Sequence, residues 1–140
     1  MNQQESIQLQ IPASHAHLHL VSALIHAFLK PLRPPVHPDE QTIYNVQLAV
    51  QEVCANIVDH AYKGMDDGII IITIYLEKST ILVVELQDQG KSFDFASAKP
   101  ANLRTPHERG YGLHLIKQLL DDVMYEQLSN GNRWKLQKQL

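Results

Sequence analysis

Residues 51–62 read QEVCANIVDHAY and form the second half of a helix that the sequence predicts over residues 40–62. Asp39 precedes this helix as an N-cap and Gly64 follows it as a C-terminal stop. Apolar residues recur along it at alternating spacings of three and four, and polar residues fall on the opposite side. The apolar stripe consists of Ile43, Val46, Val50, Val53 and Ile57, and the polar stripe of Asn45, Glu52, Asn56 and Asp59.

Glu52 and Asn56 are the pair on this polar stripe that could take part in chemistry. A spacing of four residues places both side chains on one helical face, one turn apart. A carboxylate and a carboxamide side by side offer a general base and an oxygen ligand for a hard cation. The alternative is a solvated stripe on an amphipathic helix, because Glu and Asn are ordinary surface residues.

The segments on either side of this helix predict an α+β fold. An alternating strand over residues 6–11 and a helix capped by Ser14 come before it. After it come a hairpin, a long loop over residues 88–110, a third helix and a second hairpin around Asn130-Gly131. The order β-α-α-β-β-loop-α-β-β indicates a two-layer α/β sandwich with a mostly antiparallel sheet and helices on one face.

Apolar spacing assigns the core faces of the outer elements. The first helix has the face Val21, Leu24, Ile25, Phe28, Leu29 and Leu32, and the third has Leu113, Ile116, Leu119, Leu120 and Val123. The predicted strands of the two hairpins are 69–77 with 81–87 and 125–128 with 133–140.

Two short glycine-containing motifs flank the long loop. Asp88-Gln89-Gly90 follows a strongly apolar strand, where a carboxylate can accept a hydrogen bond from an exocyclic amine and Gly90 lets a ligand approach the backbone. Gly110-Tyr111-Gly112 opens the third helix, where free N–H groups and the helix dipole favour an anion such as phosphate, and Arg109 adds a cation. The alternatives are an ordinary turn and a flexible loop end.

Composition limits the remaining classes of protein. The chain has 140 residues, a formal charge of −3, 44% apolar residues and a single cysteine. These values predict one domain spanning residues 1–140 and argue against disorder, an intramolecular disulfide and a cysteine-based zinc site. The mild acidity argues against direct binding of nucleic acid. No apolar run is long enough to cross a membrane, so we expect a cytoplasmic protein without membrane association.

The order of these motifs resembles the GHKL (histidine-kinase-like) ATPase superfamily, in its anti-sigma-factor serine/threonine-protein kinase branch. Residues 51–62 resemble the first box of that branch, E-x-x-x-N-x-x-x-H-A-Y, residues 88–94 its second box and residues 109–113 its third. The resemblance extends over nearly the whole chain and implies the Bergerat ATP-binding fold. Two positions depart from the common pattern. Ser92 replaces a glycine of the second box, and Asn132-Arg133 stand where relatives often place threonine.

The resemblance implies a role for each matching residue. Glu52 would be the catalytic base, Asn56 would hold Mg²⁺ against ATP, and Asp88 would bind the adenine amino group. Gly90 would lie beneath the base, residues 91–109 would form a lid, and Gly110 and Gly112 would let the backbone of the lid wrap the phosphates. The remaining residues assigned to the nucleotide site are Asp59, His60, Phe93, Arg109, Gly110, Tyr111, Gly112 and Leu113.

The implied function is that of an ATP- and Mg²⁺-dependent serine-protein kinase in a partner-switching system. Its implied partners are an anti-anti-sigma antagonist protein, which it would phosphorylate, and a sigma factor or similar regulator. A homodimer is expected by analogy, with residues 6–11 at the interface. One alternative is a nucleotide-binding regulatory module that sequesters a partner without kinase turnover. A second is a metal-dependent protein built on His15, His17 and His19.

Overall fold

The computed structural model describes the backbone of residues 5–92 and 109–140 and their side chains except those of residues 109–111. Five strands and three α-helices make up the described fold. The strands are β1 Ser6–Pro12, β2 Ile69–Glu77, β3 Ile81–Asp88, β4 Asp122–Leu128 and β5 Gly131–Gln139. The helices are α1 His19–Leu29, α2 Glu40–Asn56 and α3 Arg109–Leu119, with a 3₁₀ turn at His15–His17 and a π-helical turn at Ile57–Ala61.

All strand pairs are antiparallel, and the sheet has the order β1-β2-β3-β5-β4. Side chains alternate across each strand, so one face of the sheet packs against the helices around a shared apolar core. The register brings Leu86 opposite Trp134 and Asp88 opposite Asn132 on that same face. The predicted α+β sandwich is therefore confirmed. Within the described ranges, no helix has the length and apolar character needed to cross a bilayer.

The central helix differs from the prediction in its last turn. Asp39 caps α2 as expected, because its Oδ1 accepts a 2.8 Å hydrogen bond from the Thr42 N–H. The α-helical pattern ends at Asn56, however, and the Tyr62 N–H donates to the Ile57 carbonyl over 3.1 Å, which is the five-residue bond of a π-helix. A π turn contains more residues than an α turn. The prediction of one regular helix to Tyr62 was therefore wrong beyond Asn56.

Two other boundaries also differ from the prediction. Ser14 caps the 3₁₀ turn, and α1 ends before Pro31, so Leu32 lies outside the helix. At the other end of the chain α3 ends at Leu119, and Val123 belongs to β4. Pairing with β5 begins earlier than predicted, since the Asp121 N–H already donates to the Gln137 carbonyl over 3.0 Å. Val123 packs on the same core from a strand, and its match to the apolar spacing of the helix is a coincidence.

Candidate active site

A cleft of about 200 Å³ opens between the π-helical turn, the end of β3 and the β4–β5 hairpin. The lining residues are Asn56, Ile57, His60, Ala61, Lys63, Asp88, Lys91, Ser92, Tyr125, Asn132 and Trp134. The cleft thus joins residues from the first and second sequence motifs with residues of the last hairpin.

Asp88 lines this cleft and is only 4% exposed. Its Oδ1 accepts hydrogen bonds from the Gly90 N–H and from Asn132 Nδ2, both over 2.8 Å. Its Oδ2 is buried and has no partner among the described residues. Burial raises the pKa of this carboxyl, while the two hydrogen bonds act in the opposite direction. A buried carboxylate oxygen without a partner is a site for one donor from a ligand.

Asn132 organises the polar groups around Asp88, although the sequence marked it only as a departure from a pattern. The side chain is 1% exposed. Its Nδ2 lies 2.8 Å from Asp88 Oδ1, 3.1 Å from the Lys91 carbonyl and 3.2 Å from the Gly90 carbonyl. Its Oδ1 accepts from Ser92 Oγ over 2.9 Å and from the Tyr125 hydroxyl over 2.8 Å. One amide therefore joins Asp88, the turn that follows it and β4.

Gly90 is required by protein packing at this turn. A Cβ at this position would lie 2.2 Å from the Ala61 carbonyl oxygen, much closer than atoms can approach. The next residue, Lys91, donates its N–H to the same carbonyl over 2.7 Å. The absence of a side chain thus lets the Asp88–Lys91 turn pack directly on the end of the π-helical turn.

Glu52 and Asn56 occupy the α2 side of the site. Asn56 lines the cleft, and its Nδ2 is buried without a partner in the described part of the chain. Glu52 lies one turn earlier and is partly buried. A Cβ at Gly112 would come within 2.9 Å of Glu52 Oε2, so the first turn of α3 packs directly against the carboxylate. An Asn oxygen with a nearby carboxylate suits Mg²⁺, which takes few protein ligands and completes its shell with water and phosphate.

Other predicted site residues fall into three groups. His60 lines the cleft with Asn56 and Asp88. Asp59 and Leu113 do not line it, since the Asp59 carboxylate pairs with His15 Nε2 over 2.7 Å and Leu113 is buried in the core. Of the third group, Arg109, Gly110 and Tyr111 lie in the first turn of α3, and Phe93 lies outside the described residues.

The π-helical turn explains why Asp59 and His60 differ. Asp59 is three residues after Asn56, and in a regular α-helix both would lie on one face. A π turn has more residues for each rotation, so it turns Asp59 further away from Asn56, while His60, four residues after Asn56, stays on the same side in either geometry. The polar stripe predicted from α-helical periodicity therefore holds for Glu52 and Asn56 but not for Asp59.

The described residues lend no support to a histidine metal centre. Across residues 5–92 and 109–140, no three His, Cys, Asp or Glu side chains come close enough to hold a metal ion. His15 pairs with Asp59, and the His19 ring contacts the Ala16 carbonyl over 3.0 Å. Burial raises the pKa of the Cys54 thiol to about 12, which keeps it protonated and unreactive.

Several cleft residues were missed because they come from the last hairpin. Tyr125 and Trp134 face each other across β4 and β5, and their rings meet edge to face with centroids 4.8 Å apart. Their position follows from the pairing of β5 with β3, which brings Asn132 and Trp134 beside Asp88 and Leu86. The alternation of side chains along β5 can be recognised in the sequence. Which residues they lie beside depends on the order of the strands in the sheet.

Comparison with known proteins agrees with this fold. Residues 11–138 match the model of the histidine kinase-like ATPase domain. The chain is 31% identical to the serine-protein kinase RsbW of Bacillus cereus strain G9842 over 132 residues, which cover 88% of this chain and 78% of that protein. The RsbW protein of Bacillus thuringiensis subsp. konkukian strain 97-27 matches with the same identity and coverage.

Solved structures with low sequence identity share the fold. A crystal structure of the RsbU and RsbW domains of Rv1364c from Mycobacterium tuberculosis superimposes with a TM-score of 0.69 at 17% identity, over 97% of this chain. The histidine kinase domain of a blue-light activated kinase from Erythrobacter litoralis EL346 gives 0.61 at 19% identity, over 93% of this chain. The chain spans 32% and 62% of the lengths of those two chains.

The fold and the matched residues define the class: the chain belongs to the histidine kinase-like ATPase domain family. Within that family its relatives named above are serine-protein kinases of the RsbW type. The resemblance seen in the three sequence boxes is therefore confirmed at the level of the family.

Proposed function

We propose that residues 1–140 form one domain that acts as an ATP- and Mg²⁺-dependent serine-protein kinase. The observation that carries the proposal is the unpartnered Asp88 Oδ2 in a cleft whose other wall is formed by Asn56, one helical turn from Glu52. A purine-binding carboxylate and a catalytic carboxylate would thus lie at the two ends of one site. Family membership and the serine-protein kinase relatives support the same assignment.

Asp88 would recognise the base. Its Oδ1 is already engaged by two donors, so Oδ2 is the oxygen that can accept a hydrogen bond from the adenine amino group. The aromatic and apolar lining from Trp134, Tyr125 and Ile57 suits a flat ring. Binding would give the buried Asp88 Oδ2 the donor that it lacks. The site would therefore select ligands that carry a hydrogen-bond donor at this place.

Phosphates would lie towards α2. Lys63 and Lys91 line the cleft and carry positive charge that suits a triphosphate. Asn56 would offer its Oδ1 to Mg²⁺, and a bound Mg²⁺ would neutralise charge that develops on the phosphate oxygens. The first turn of α3, against which Glu52 packs, would contribute its N-terminal N–H groups to anion binding.

Glu52 would act as the general base. Its carboxylate would take the proton of the substrate serine while the hydroxyl oxygen forms a bond to the γ-phosphorus and the bond to the bridging oxygen breaks, releasing ADP. The products would be phosphoserine, ADP and a protonated Glu52, which then returns its proton to solvent. Phosphoryl transfer depends mainly on positioning and charge, and a small domain with few chemical groups can supply both.

The protein substrate would be an anti-anti-sigma antagonist, and the second partner a sigma factor or similar regulator. These partners, a homodimer and a cytoplasmic location rest on the RsbW-type relatives and on the resemblance of the three boxes. The mild net charge of −3 fits a regulator that binds proteins.

The test measures phosphate transfer from ATP to candidate antagonists encoded in the same genome, with Mg²⁺ present. Glu52→Gln keeps the size of the side chain and removes the base, so we expect transfer to fall by roughly 10²–10⁴-fold while ATP affinity changes little. Glu85→Gln is the matched control, because Glu85 lies on the opposite face of the sheet. Equal rates for Glu52→Gln and the wild type would remove Glu52 from the mechanism.

The same assay separates a kinase from a module that only sequesters its partner. A module of that kind would bind ATP and an antagonist or sigma factor yet transfer no phosphate to any antagonist. Calorimetry with ATP supplies the second measurement. No heat of binding, together with no effect of Asp88→Asn, would contradict both the kinase and the nucleotide-binding module.

A further inference from the structure

The two positions that depart from the common sequence pattern contact each other. Ser92, which replaces a glycine, donates its hydroxyl to Asn132 Oδ1 over 2.9 Å, and Asn132-Arg133 stand where relatives often place threonine. A glycine at position 92 has no hydroxyl to donate. The two departures therefore form one hydrogen-bonded unit, and that unit touches Asp88.

The neighbours of Asn132 determine which way its amide points. On one side lie Asp88 Oδ1 and the carbonyls of Gly90 and Lys91, which can only accept. On the other side lie the hydroxyls of Ser92 and Tyr125, which can donate. Only an Nδ2 facing the carboxylate and an Oδ1 facing the hydroxyls satisfies all of these groups. Ser92 and Tyr125 thus hold the amide with its donor aimed at Asp88.

We propose that Asn132, held by Ser92 and Tyr125, is a positioning residue that makes the site select 6-amino purine nucleotides over 6-oxo purine nucleotides. This inference rests on the proposed function and concerns the same site. Asn132 fixes Asp88 Oδ1 as the oxygen that faces the protein and leaves Oδ2 as the one that faces the ligand. An ionised Oδ2 accepts from a 6-amino group and repels a 6-oxo group, since both would be acceptors.

Loss of the Asn132 donor would weaken this selection in two ways. Asp88 would keep only the Gly90 N–H on Oδ1, so its carboxylate could rotate and present either oxygen to the ligand. Burial already raises the pKa of Asp88, and removing a donor raises it further. A protonated carboxyl can donate to a 6-oxo group, so a larger protonated fraction would weaken the discrimination against the 6-oxo nucleotide.

The experiment compares the dissociation constants of ATP and inosine 5′-triphosphate, which differ in the 6-substituent, by calorimetry. For the wild type we expect ATP to bind about 100-fold more tightly, because a site with a buried polar group rejects a ligand that cannot satisfy it. Asn132→Ala should weaken ATP binding. It should also reduce the ratio of the dissociation constant of inosine 5′-triphosphate to that of ATP by about tenfold, which is about 1.4 kcal/mol. Asn132→Leu keeps the approximate size of the side chain but removes the donor, and should reduce this ratio at least as much.

Ser92→Ala and Gln127→Ala complete the design. Ser92 is exposed, so its alanine variant should fold and should reduce the ratio about threefold by freeing the amide of Asn132. Gln127 lies directly opposite Asn132 on β4 and is exposed, and its alanine variant should leave the ratio unchanged. The ratio is the decisive quantity, because a purely structural defect would weaken both nucleotides together.

Each outcome decides for or against the proposal. A wild type that binds both nucleotides equally, or Asn132 and Ser92 variants that keep the wild-type ratio, would overturn it while leaving nucleotide binding intact. If Asn132→Ala does not fold, Asn132→Leu and Ser92→Ala decide. A wild type that binds neither nucleotide would overturn the proposed function, and this inference with it.

Discussion

The two ends of the candidate site are built in opposite ways. At the Asp88 end, the carboxylate is buried, its Oδ1 has two donors, and Asn132 is surrounded by five partners. At the α2 end, Glu52 is only partly buried, and Asn56 has an amide nitrogen without a partner among the described residues. One end is a rigid, nearly satisfied network on the sheet, whereas the other consists of side chains that still need a ligand.

This difference matches the task of each end. Recognition of a base requires one acceptor in a fixed place, and burial on a sheet supplies it at the cost of a raised pKa. Transfer of a phosphoryl group requires side chains that gain contacts only when substrates are present. Substitutions that disturb the packing at the Asp88 end should therefore damage the fold and binding together, whereas substitutions at the α2 end should impair Mg²⁺ binding or phosphate transfer and leave the fold intact.

Gly90→Ala gives the largest expected effect and tests the rigid end. The added Cβ would lie 2.2 Å from the Ala61 carbonyl oxygen, which is backbone and cannot rotate away. We expect a loss of about 3 kcal/mol in the free energy of unfolding and a fall in Tm of about 10 °C. Urea and thermal denaturation measure these values. A variant as stable as the wild type would show that the Asp88–Lys91 turn is adjustable after all.

Gly112→Ala is the matched change at the other end and should affect activity more than stability. The new Cβ would lie 2.9 Å from Glu52 Oε2, the tip of a flexible side chain that can move. Alanine favours a helix over glycine by about 1 kcal/mol, so the free energy of unfolding should stay constant or rise. Displacement of Glu52 should slow phosphate transfer by roughly 10–100-fold. Transfer at the wild-type rate would mean that the position of Glu52 against α3 is unimportant.

The pH dependence of binding gives a smaller effect and tests the charge of Asp88. Because burial raises its pKa, the native protein holds this proton more tightly than the unfolded chain does. Folding stability from Asp88 is therefore highest at low pH and decreases as pH rises from the unfolded value through the native pKa. Binding of a 6-amino group needs the ionised form, so purine affinity should change in the opposite direction and fall as pH falls through the native pKa.

Adenosine isolates this effect from the other ionisable groups in the cleft. His60, Lys63 and Lys91 also line it, and they would respond to the phosphates of ATP. Adenosine has no phosphates, so its affinity across a pH series reports mainly on Asp88. Asp88→Asn should bind adenosine weakly at every pH. An equal pH dependence in the wild type and in Asp88→Asn would assign the titration to another group.

The sequence predicted the α2 end of the site better than the Asp88 end, for a physical reason. Glu52 and Asn56 are close in space because they are four residues apart on one helix, and local periodicity is enough to show it. Asp88 and Asn132 are 44 residues apart and meet only through the register of β3 with β5. Sheet order depends on the packing of the whole chain, so the Asn132 network was not predicted although both hairpins were.

Helix geometry set a second limit on prediction. The apolar stripe of α2 and its cap at Asp39 followed from sequence, whereas the change to a π turn after Asn56 did not. The π turn contacts residues far along the chain, for example through the bond from the Lys91 N–H to the Ala61 carbonyl, and periodicity along one helix does not report such contacts. The error was local, yet it moved the expected position of Asp59 out of the cleft.

Asp59→Asn gives the smallest expected effect and tests this displacement directly. The Asp59 carboxylate pairs with His15 Nε2 over 2.7 Å, with side chains that are 50% and 60% exposed. An exposed pair of this kind contributes less than about 1 kcal/mol, and high salt weakens it further. We therefore expect a small or undetectable loss of stability, unchanged ATP affinity and an unchanged rate of phosphate transfer. His15→Ala should behave in the same way if the pair is the only function of Asp59.

A contrast between these two variants would restore the role that the sequence assigned to Asp59. If Asp59→Asn lowered ATP affinity tenfold or more while His15→Ala did not, Asp59 would act on the nucleotide in spite of its contact with His15. If both variants lowered it equally, the pair itself would support the π-helical turn that carries His60 into the cleft. Unchanged ATP affinity in both variants would mean that the nucleotide contacts this turn only on the side that faces Asn56.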